Sequence, residues 1–187
     1  MVCAALAVLT AIVSALYLPF SITVLTLALT FIMAAITISD LRHFIIPDQL
    51  SLPAIPLGIL AFWIVSGMDG AYSVTMSVLG ALLGGISLYA IKVGYARFKG
   101  FEGLGMGDVK LFAAGGAWLG PENLAITLLL ASLGALAAVV ISVSFAGQRN
   151  VTRMTALPFG AFIAPAIWLI WIFQQTSQYQ PMALLGL

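Results

Sequence analysis

The sequence predicts an all-α fold of about six to seven transmembrane helices, built as one membrane-embedded domain over residues 1–187. The chain is 63% hydrophobic and 7% charged, whereas a typical soluble domain is roughly 25% charged. Its mean hydropathy is +1.17. Because a bilayer core about 30 Å thick needs about 20 apolar residues per helix, a chain of 187 residues has room for that number of crossings only if the links are short.

The first 39 residues, 1–39, carry no charged side chain. As one helix they would extend about 58 Å, roughly twice the bilayer core. We expect the chain to reverse at Pro19, since proline interrupts helix hydrogen bonding, which gives helices near residues 2–18 and 20–39. The apolar start lacks the basic segment of a secretory signal peptide, which favours a retained first helix over a cleaved leader.

Further apolar segments complete the predicted domain, near residues 52–66, 71–91, 107–120, 123–146 and 160–173. Segment 107–120 would rise only about 21 Å as a helix. It therefore either crosses a thinned part of the bilayer or re-enters on the same side, and we favour crossing. Gly80 and Gly84 have G-x-x-x-G spacing, which favours close helix packing.

The basic residues predict the orientation. If every segment crosses, all seven Lys and Arg residues lie on one side of the membrane, and such residues mark the cytoplasmic side. We therefore predict a cytoplasmic N-terminus and an external C-terminus. The net charge of +1 argues against a nucleic-acid partner, which needs clustered Lys and Arg. Four tryptophans are expected in an external aromatic belt: Trp63, Trp118, Trp168 and Trp171.

Asp40 and Asp108 are the candidate chemical groups among the six acidic residues. Asp40 follows the apolar turns "FIMAAITIS" and Asp108 precedes "LFAAGGAWLG", and ionisable groups at membrane depth usually serve a function. Both return to the cytoplasmic boundary, because two crossings separate them. Adjacent carboxylates retain one proton between them, so one activates water while the other protonates a carbonyl. The alternatives are helix-end caps, ion pairs with Arg42 or Lys110, or a proton relay in a transporter.

Three glycines precede Asp108 in "GLGMGD". Gly103, Gly105 and Gly107 permit backbone conformations and close approaches, such as that of a substrate strand, which a Cβ would block. A nucleotide-binding loop is not expected, because no strand precedes the segment and the G-x-x-x-x-G-K-[ST] pattern is missing.

Other polar residues near the aspartates receive simpler interpretations. Asp48 is placed to cap the following helix or to support the site, and Lys110 either anchors its helix at the cytoplasmic face or biases the protonation of the aspartates. The single histidine, His43, has no ligand set near it, and the single cysteine, Cys3, cannot build a Cys-based zinc site. We expect neither a metal nor a cofactor.

Three separated segments carry an ordered set of motifs: "SDLRHFIIPDQLSLP", "GLGMGDVKLFAAGGAWLG" and "LPFGAFIAPA". They resemble the type IV prepilin leader peptidases, polytopic aspartyl proteases of the G-x-G-D class, over residues 36–170. The resemblance implies the fold of that class and identifies Asp40 and Asp108 as the catalytic aspartates. It also implies substrate-binding or motif-supporting roles for Gly105, Gly107, Lys110, Pro47, Asp48, Pro158, Phe159 and Gly160.

The resemblance further implies substrates and location. Prepilins or pseudopilins are cut between a short basic leader and an apolar helix, at the cytoplasmic boundary of the bacterial inner membrane. The bilayer and the pilus assembly machinery are the other candidate partners. Larger members also methylate the new N-terminus and carry a cytoplasmic insert with paired cysteines, so this chain resembles the short form of tight-adherence (Flp) pili, with peptidase activity only. The rivals are a proton- or ion-coupled transporter using the same aspartates and a structural or chaperone subunit of a pilus assembly complex.

Overall fold

The computed structural model describes residues 18–66, 70–101, 103–146 and 157–184. These residues form helices and short links, with no strand among them, which confirms the all-α prediction for this part of the chain. The helix predicted near residues 2–18 lies outside the described residues except for Leu18. The helices are α1 (Phe20–His43), α2 (Asp48–Ser66), α3 (Gly70–Lys99), α4 (Met106–Leu119), α5 (Leu124–Ala146) and α6 (Gly160–Leu184), with a 3-10 turn over Pro121–Asn123 before α5.

Helix α1 starts directly after Pro19, as predicted, but α1 and α3 are longer than the predicted apolar segments. Helix α1 begins at Phe20 and continues to His43, so Asp40 lies inside its last turn. Helix α3 continues to Lys99, beyond the predicted end near residue 91. Hydropathy marks the part of a helix that matches the bilayer, whereas Lys, Ala and Arg extend the helix into the polar region because they are good helix formers.

Four described helical segments are long and apolar enough to cross a membrane: Phe20–His43, Asp48–Val65, Ala71–Lys99 and Pro121–Ser144. Helix α4 is only 14 residues long, and α6 carries glutamines in its second half. The polytopic membrane fold is confirmed, while the total of about six to seven crossings remains a prediction.

Helix α4 lies at the centre of the described bundle, with ten of its 14 residues buried. It packs so tightly on α3 that a Cβ at Gly80 would strike the carbonyl oxygen of Gly116, and one at Gly84 would lie 2.7 Å from the carbonyl oxygen of Phe112. The close packing predicted from the spacing of these two glycines is therefore confirmed.

Polar side chains link α4 to its neighbours. Ser77 Oγ donates a hydrogen bond to the carbonyl oxygen of Ala117 at 2.6 Å, and Trp118 Nε1 donates to that of Ala54 at 2.8 Å. Trp118 and Trp171 are buried and pack edge to face, with ring centroids 5.1 Å apart. The prediction of an external aromatic belt is wrong for these two residues, because both are buried and their indole N–H groups donate inside the bundle, that of Trp171 to Thr26 Oγ1 at 3.0 Å.

Candidate active site

Asp40 lies in the last turn of α1 and is only 5% exposed. Its carboxylate Oδ2 accepts a hydrogen bond from the backbone N–H of Ala161 at 2.7 Å. Ala161 is the second residue of α6, which begins at Gly160. A helix start presents unsatisfied N–H groups and the positive end of the helix dipole, so it is a favourable partner for a carboxylate.

The link after α1 folds back beside Asp40. Phe44 has a left-handed backbone conformation, with φ of 55°, and its N–H donates to the carbonyl oxygen of Asp40 at 2.9 Å. Ser39 Oγ donates to the carbonyl oxygen of Ile45 at 2.8 Å. This turn reverses the chain and leads directly to Ile46, which is buried.

Asp108 is the third residue of α4 and is 8% exposed. Its Oδ2 accepts the N–H of Gly105 at 3.1 Å, which caps the start of the helix. The helix-end cap considered as an alternative is therefore present at Asp108. A cap at a helix start is normally solvated, however, so it does not account for the burial of this carboxyl group beside a second acid.

The structure brings the two aspartates together. The N–H of Gly160 interacts with both carboxylates. Asp108 lies in α4, which is not among the four long apolar helices. Burial raises the pKa of Asp108 to about 6, and the negative charge of Asp40 is the second cause. The N–H groups of Gly105 and Gly160 and the charge of Lys92 act in the opposite direction. A buried acid with a nearby acid is the arrangement that keeps a carboxyl group protonated near neutral pH.

Lys92 is a site residue that the sequence reasoning did not select. It lies on α3, is partly buried, and acts electrostatically on Asp108. In the sequence it is one of the basic residues that mark the cytoplasmic side. A usable signal was its position, because it is the first charged residue after the apolar part of α3.

Lys110 pairs with Asp48 rather than with either buried aspartate. Its Nζ lies 2.7 and 2.8 Å from the two carboxylate oxygens of Asp48. Asp48 is the first residue of α2, so this ion pair joins the starts of α2 and α4. The alternative in which Lys110 neutralises Asp108 directly is therefore wrong.

The glycines next to the aspartates make room for neighbouring side chains. A Cβ at Gly107 would lie 2.9 Å from Ile46 Cβ, and a Cβ at Gly160 would strike Ile46 Cδ1 and lie 3.0 Å from Asp40 Oδ2. A Cβ at Gly105 would lie 3.1 Å from the Asp108 carboxylate. The space beside Gly107 is therefore filled by Ile46, where the sequence suggested an approach path for substrate.

The prolines and Phe159 shape the two helix starts that border the site. The carbonyl oxygens of Pro47 and Phe159 accept the first hydrogen bonds of α2 and α6, respectively. Phe159 also packs against the hydrophobic core, and Pro158 precedes it in the link to α6. Among the described residues, no group of three or more His, Cys, Asp or Glu side chains is arranged to hold a metal ion.

Comparison with known proteins identifies the family. The model of the type IV leader peptidase family matches residues 27–143, which include Asp40 and Asp108. This chain therefore belongs to the type IV leader peptidase family. No solved structure matches it.

Curated relatives support the same assignment. The chain is 38% identical over 152 residues to a prepilin leader peptidase/N-methyltransferase of Aeromonas hydrophila, covering 80% of this chain and 50% of that protein. Proteins of the same name from Xanthomonas campestris pv. campestris and Pseudomonas aeruginosa are 39% identical over 136 residues and 35% identical over 161 residues. The match to the Xanthomonas protein covers 72% of this chain and 44% of that protein. The match to the Pseudomonas protein covers 84% of this chain and 52% of that protein. The chain thus spans about half the length of the curated relatives it matches.

Proposed function

We propose that this protein is a membrane aspartic endopeptidase that removes the leader peptide of type IV prepilins or pseudopilins, with Asp40 and Asp108 as its catalytic residues. The convergence of these two buried carboxylates from α1 and α4 is the observation that carries the proposal. Membership of the leader peptidase family supplies the substrate class. The same membership does not support the transporter that the two aspartates alone also suggested.

The proposed reaction uses the aspartates as one unit that shares a proton. The ionised member removes a proton from a water molecule, whose oxygen attacks the carbon of the scissile carbonyl. The protonated member donates its proton to the carbonyl oxygen. When the tetrahedral intermediate collapses, the C–N bond breaks and the leaving amine takes a proton from the dyad. The peptide must be extended at the cut, since a helical carbonyl is occupied by its own hydrogen bond.

The proposed setting is the bacterial inner membrane, with the site at the cytoplasmic boundary, a cytoplasmic N-terminus and an external C-terminus. The site residues gather at one end of the bundle: Asp40 ends α1, Asp48 and Asp108 lie at the starts of α2 and α4, and Gly160 starts α6. All seven Lys and Arg residues lie toward the helix ends, or in the links, that the predicted topology assigns to this side. A prepilin would then place its apolar helix along the bundle and its leader at the cytoplasmic end.

We restrict the proposed activity to peptide cleavage. The relatives named above carry an N-methyltransferase activity in their names, and the chain spans about half of their length. Peptidase activity without methylation remains a prediction from the resemblance to the short form of the family.

Co-expression with a prepilin tests the proposed function and the methylation prediction together. The product isolated with the wild-type protein should begin at the first residue of the mature pilin, without added methyl mass, in an intact-mass and N-terminal peptide measurement. The matched control is the Asp40→Asn variant, which should leave the leader attached. Unprocessed prepilin beside inserted wild-type protein would overturn the proposed function, and a methylated product would overturn the restriction to cleavage.

A further inference from the structure

We propose that Ile46 is a positioning residue that holds the starts of α4 and α6 apart and limits the access of bulk water to the two aspartates, beyond the one water molecule that reacts. The inference rests on the proposed function, since it assigns Ile46 a role in the geometry of the same site. Ile46 is apolar and is therefore not itself a group that reacts.

The contacts of Ile46 reach both halves of the site. Its side chain is 8% exposed and lies against Gly107, the residue before Asp108, and against Gly160, the residue before the Ala161 N–H that binds Asp40. A Cβ added at either glycine would be closer to Ile46 than ordinary van der Waals contact. One side chain thus fills the gap between the two helix starts that carry or bind the aspartates.

The surroundings of Ile46 make it a fixed spacer. Its branched Cβ restricts χ1 to few rotamers. The preceding turn is held by the hydrogen bonds from Ser39 Oγ and the Phe44 N–H. Because protein interiors are close-packed and transmit small changes in volume, a change in the size of this side chain shifts the helix starts or admits water.

Shortening the side chain should change catalysis together with its pH dependence. In purified Ile46→Ala, we expect kcat to fall about tenfold, because a small misplacement of reacting groups slows the chemical step. Burial is the largest cause of the raised pKa of Asp108, so water in the vacated space lowers that pKa and moves the alkaline limb of kcat/KM to lower pH. The groups acting on Asp108 in this comparison are Asp40 on α1, Lys92 on α3, the N–H of Gly105 before α4 and the N–H of Gly160 on α6.

The neighbouring residue Ile45 provides a matched control. Its side chain is 63% exposed, so Ile45→Ala should retain the rate and pH profile of the wild-type protein. A merely structural role for Ile46 would reduce the amount of folded protein without moving the pH profile.

The two glycines give a test that depends on individual atoms. Gly160→Ala should be nearly inactive, because its new Cβ strikes Ile46 Cδ1 and lies 3.1 Å from Ile46 Cγ1. Adding Ile46→Ala removes both atoms and should restore activity at least tenfold relative to Gly160→Ala alone, short of wild type because Asp40 Oδ2 stays 3.0 Å from the new Cβ. By contrast, Gly107→Ala meets the Ile46 Cβ, which alanine retains, so Ile46→Ala should not restore it.

The experiment is a cleavage assay of these single and double variants at equal amounts of detergent-purified protein. Restoration of Gly160→Ala but not of Gly107→Ala, with the pH shift in Ile46→Ala, would support the proposal. Wild-type kcat and pH profile in Ile46→Ala, or restoration of both glycine variants or of neither, would overturn it. If Asp40→Asn and Asp108→Asn are inactive in the same assay, the proposed function holds whatever the outcome at Ile46. If these two variants are active, the proposed function is overturned instead.

Discussion

Asp40 and Ala161 are joined by a 2.7 Å hydrogen bond between a carboxylate oxygen and a backbone N–H, across 121 residues of sequence. The bond satisfies one of the N–H groups that every helix start leaves unpaired. The position of α6 and the orientation of the Asp40 carboxylate therefore depend on each other. An amide at position 40 keeps an oxygen that can accept this bond, so Asp40→Asn separates the chemical role of the carboxylate from its role in the fold.

The ion pair between Lys110 and Asp48 should matter more for activity than for stability. The two side chains are 30% and 56% exposed, and exposed ion pairs contribute only about 0–1 kcal/mol. For Lys110→Met we expect a thermal unfolding midpoint close to that of the wild type but a cleavage rate roughly threefold to tenfold lower, because α4 loses its tie to α2. Exchanging the charges in Asp48→Lys, Lys110→Asp should recover part of the rate. An exchange variant as slow as its single parents would contradict this role.

The pKa of Asp108 predicts the direction of the pH dependence. A carboxyl group with a pKa raised to about 6 retains its proton up to that pH, so kcat/KM should fall as pH rises through this region and the shared proton is lost. Lys92 lowers the pKa of Asp108, so Lys92→Met should move the alkaline limb to higher pH, by about half a unit or less. Lys99→Met, at the exposed end of the same helix, is the control. A shift to lower pH, or an equal shift in the control, would count against this electrostatic assignment.

The contact of α3 with α4 should depend on Gly80 and not on Gly94. A Cβ at Gly80 strikes the backbone of Gly116, whereas a Cβ at Gly94 meets no atom within 4 Å. Gly80→Ala should therefore lose about 1–3 kcal/mol of stability. Gly94→Ala should be neutral or stabilising by up to about 1 kcal/mol through its helix propensity. Thermal inactivation of the two variants in the same detergent measures the difference, and equal stabilities would refute the tight packing of these helices.

The predicted orientation can be measured with reporter fusions. Alkaline phosphatase fused after the last residue should be active, since the C-terminus is expected outside, whereas a fusion in the link at Gly100 should be inactive. The reverse result, or activity at both positions, would show that the number or direction of crossings is wrong.

Charge made the central pair of residues predictable from the sequence. In a chain with only six acidic residues, Asp40 and Asp108 stood out because each borders an apolar helix, and counting crossings placed them on one side. Pro19 and the spacing of Gly80 and Gly84 likewise predicted a helix start and a tight contact that the structure contains.

The remaining features depend on contacts between distant segments. Lys110 had several acids within reach in the sequence, and only the fold places Asp48 against it. Ile46 is one apolar residue in a chain that is 63% hydrophobic, so no pattern marked it as the side chain between Gly107 and Gly160. Trp118 lies near the end of an apolar segment, and this position predicts a place at the membrane surface. The sequence does not show that its indole N–H donates to the Ala54 carbonyl oxygen inside the bundle.

The most direct test of the account is the rate of prepilin cleavage by purified Asp40→Asn and Asp108→Asn. Each amide keeps the size of the side chain but cannot share the proton of the pair, so both variants should insert normally and lose at least about a thousandfold in kcat/KM. Cleavage of a prepilin at the wild-type rate by either variant would contradict the assignment of these two aspartates as the catalytic pair.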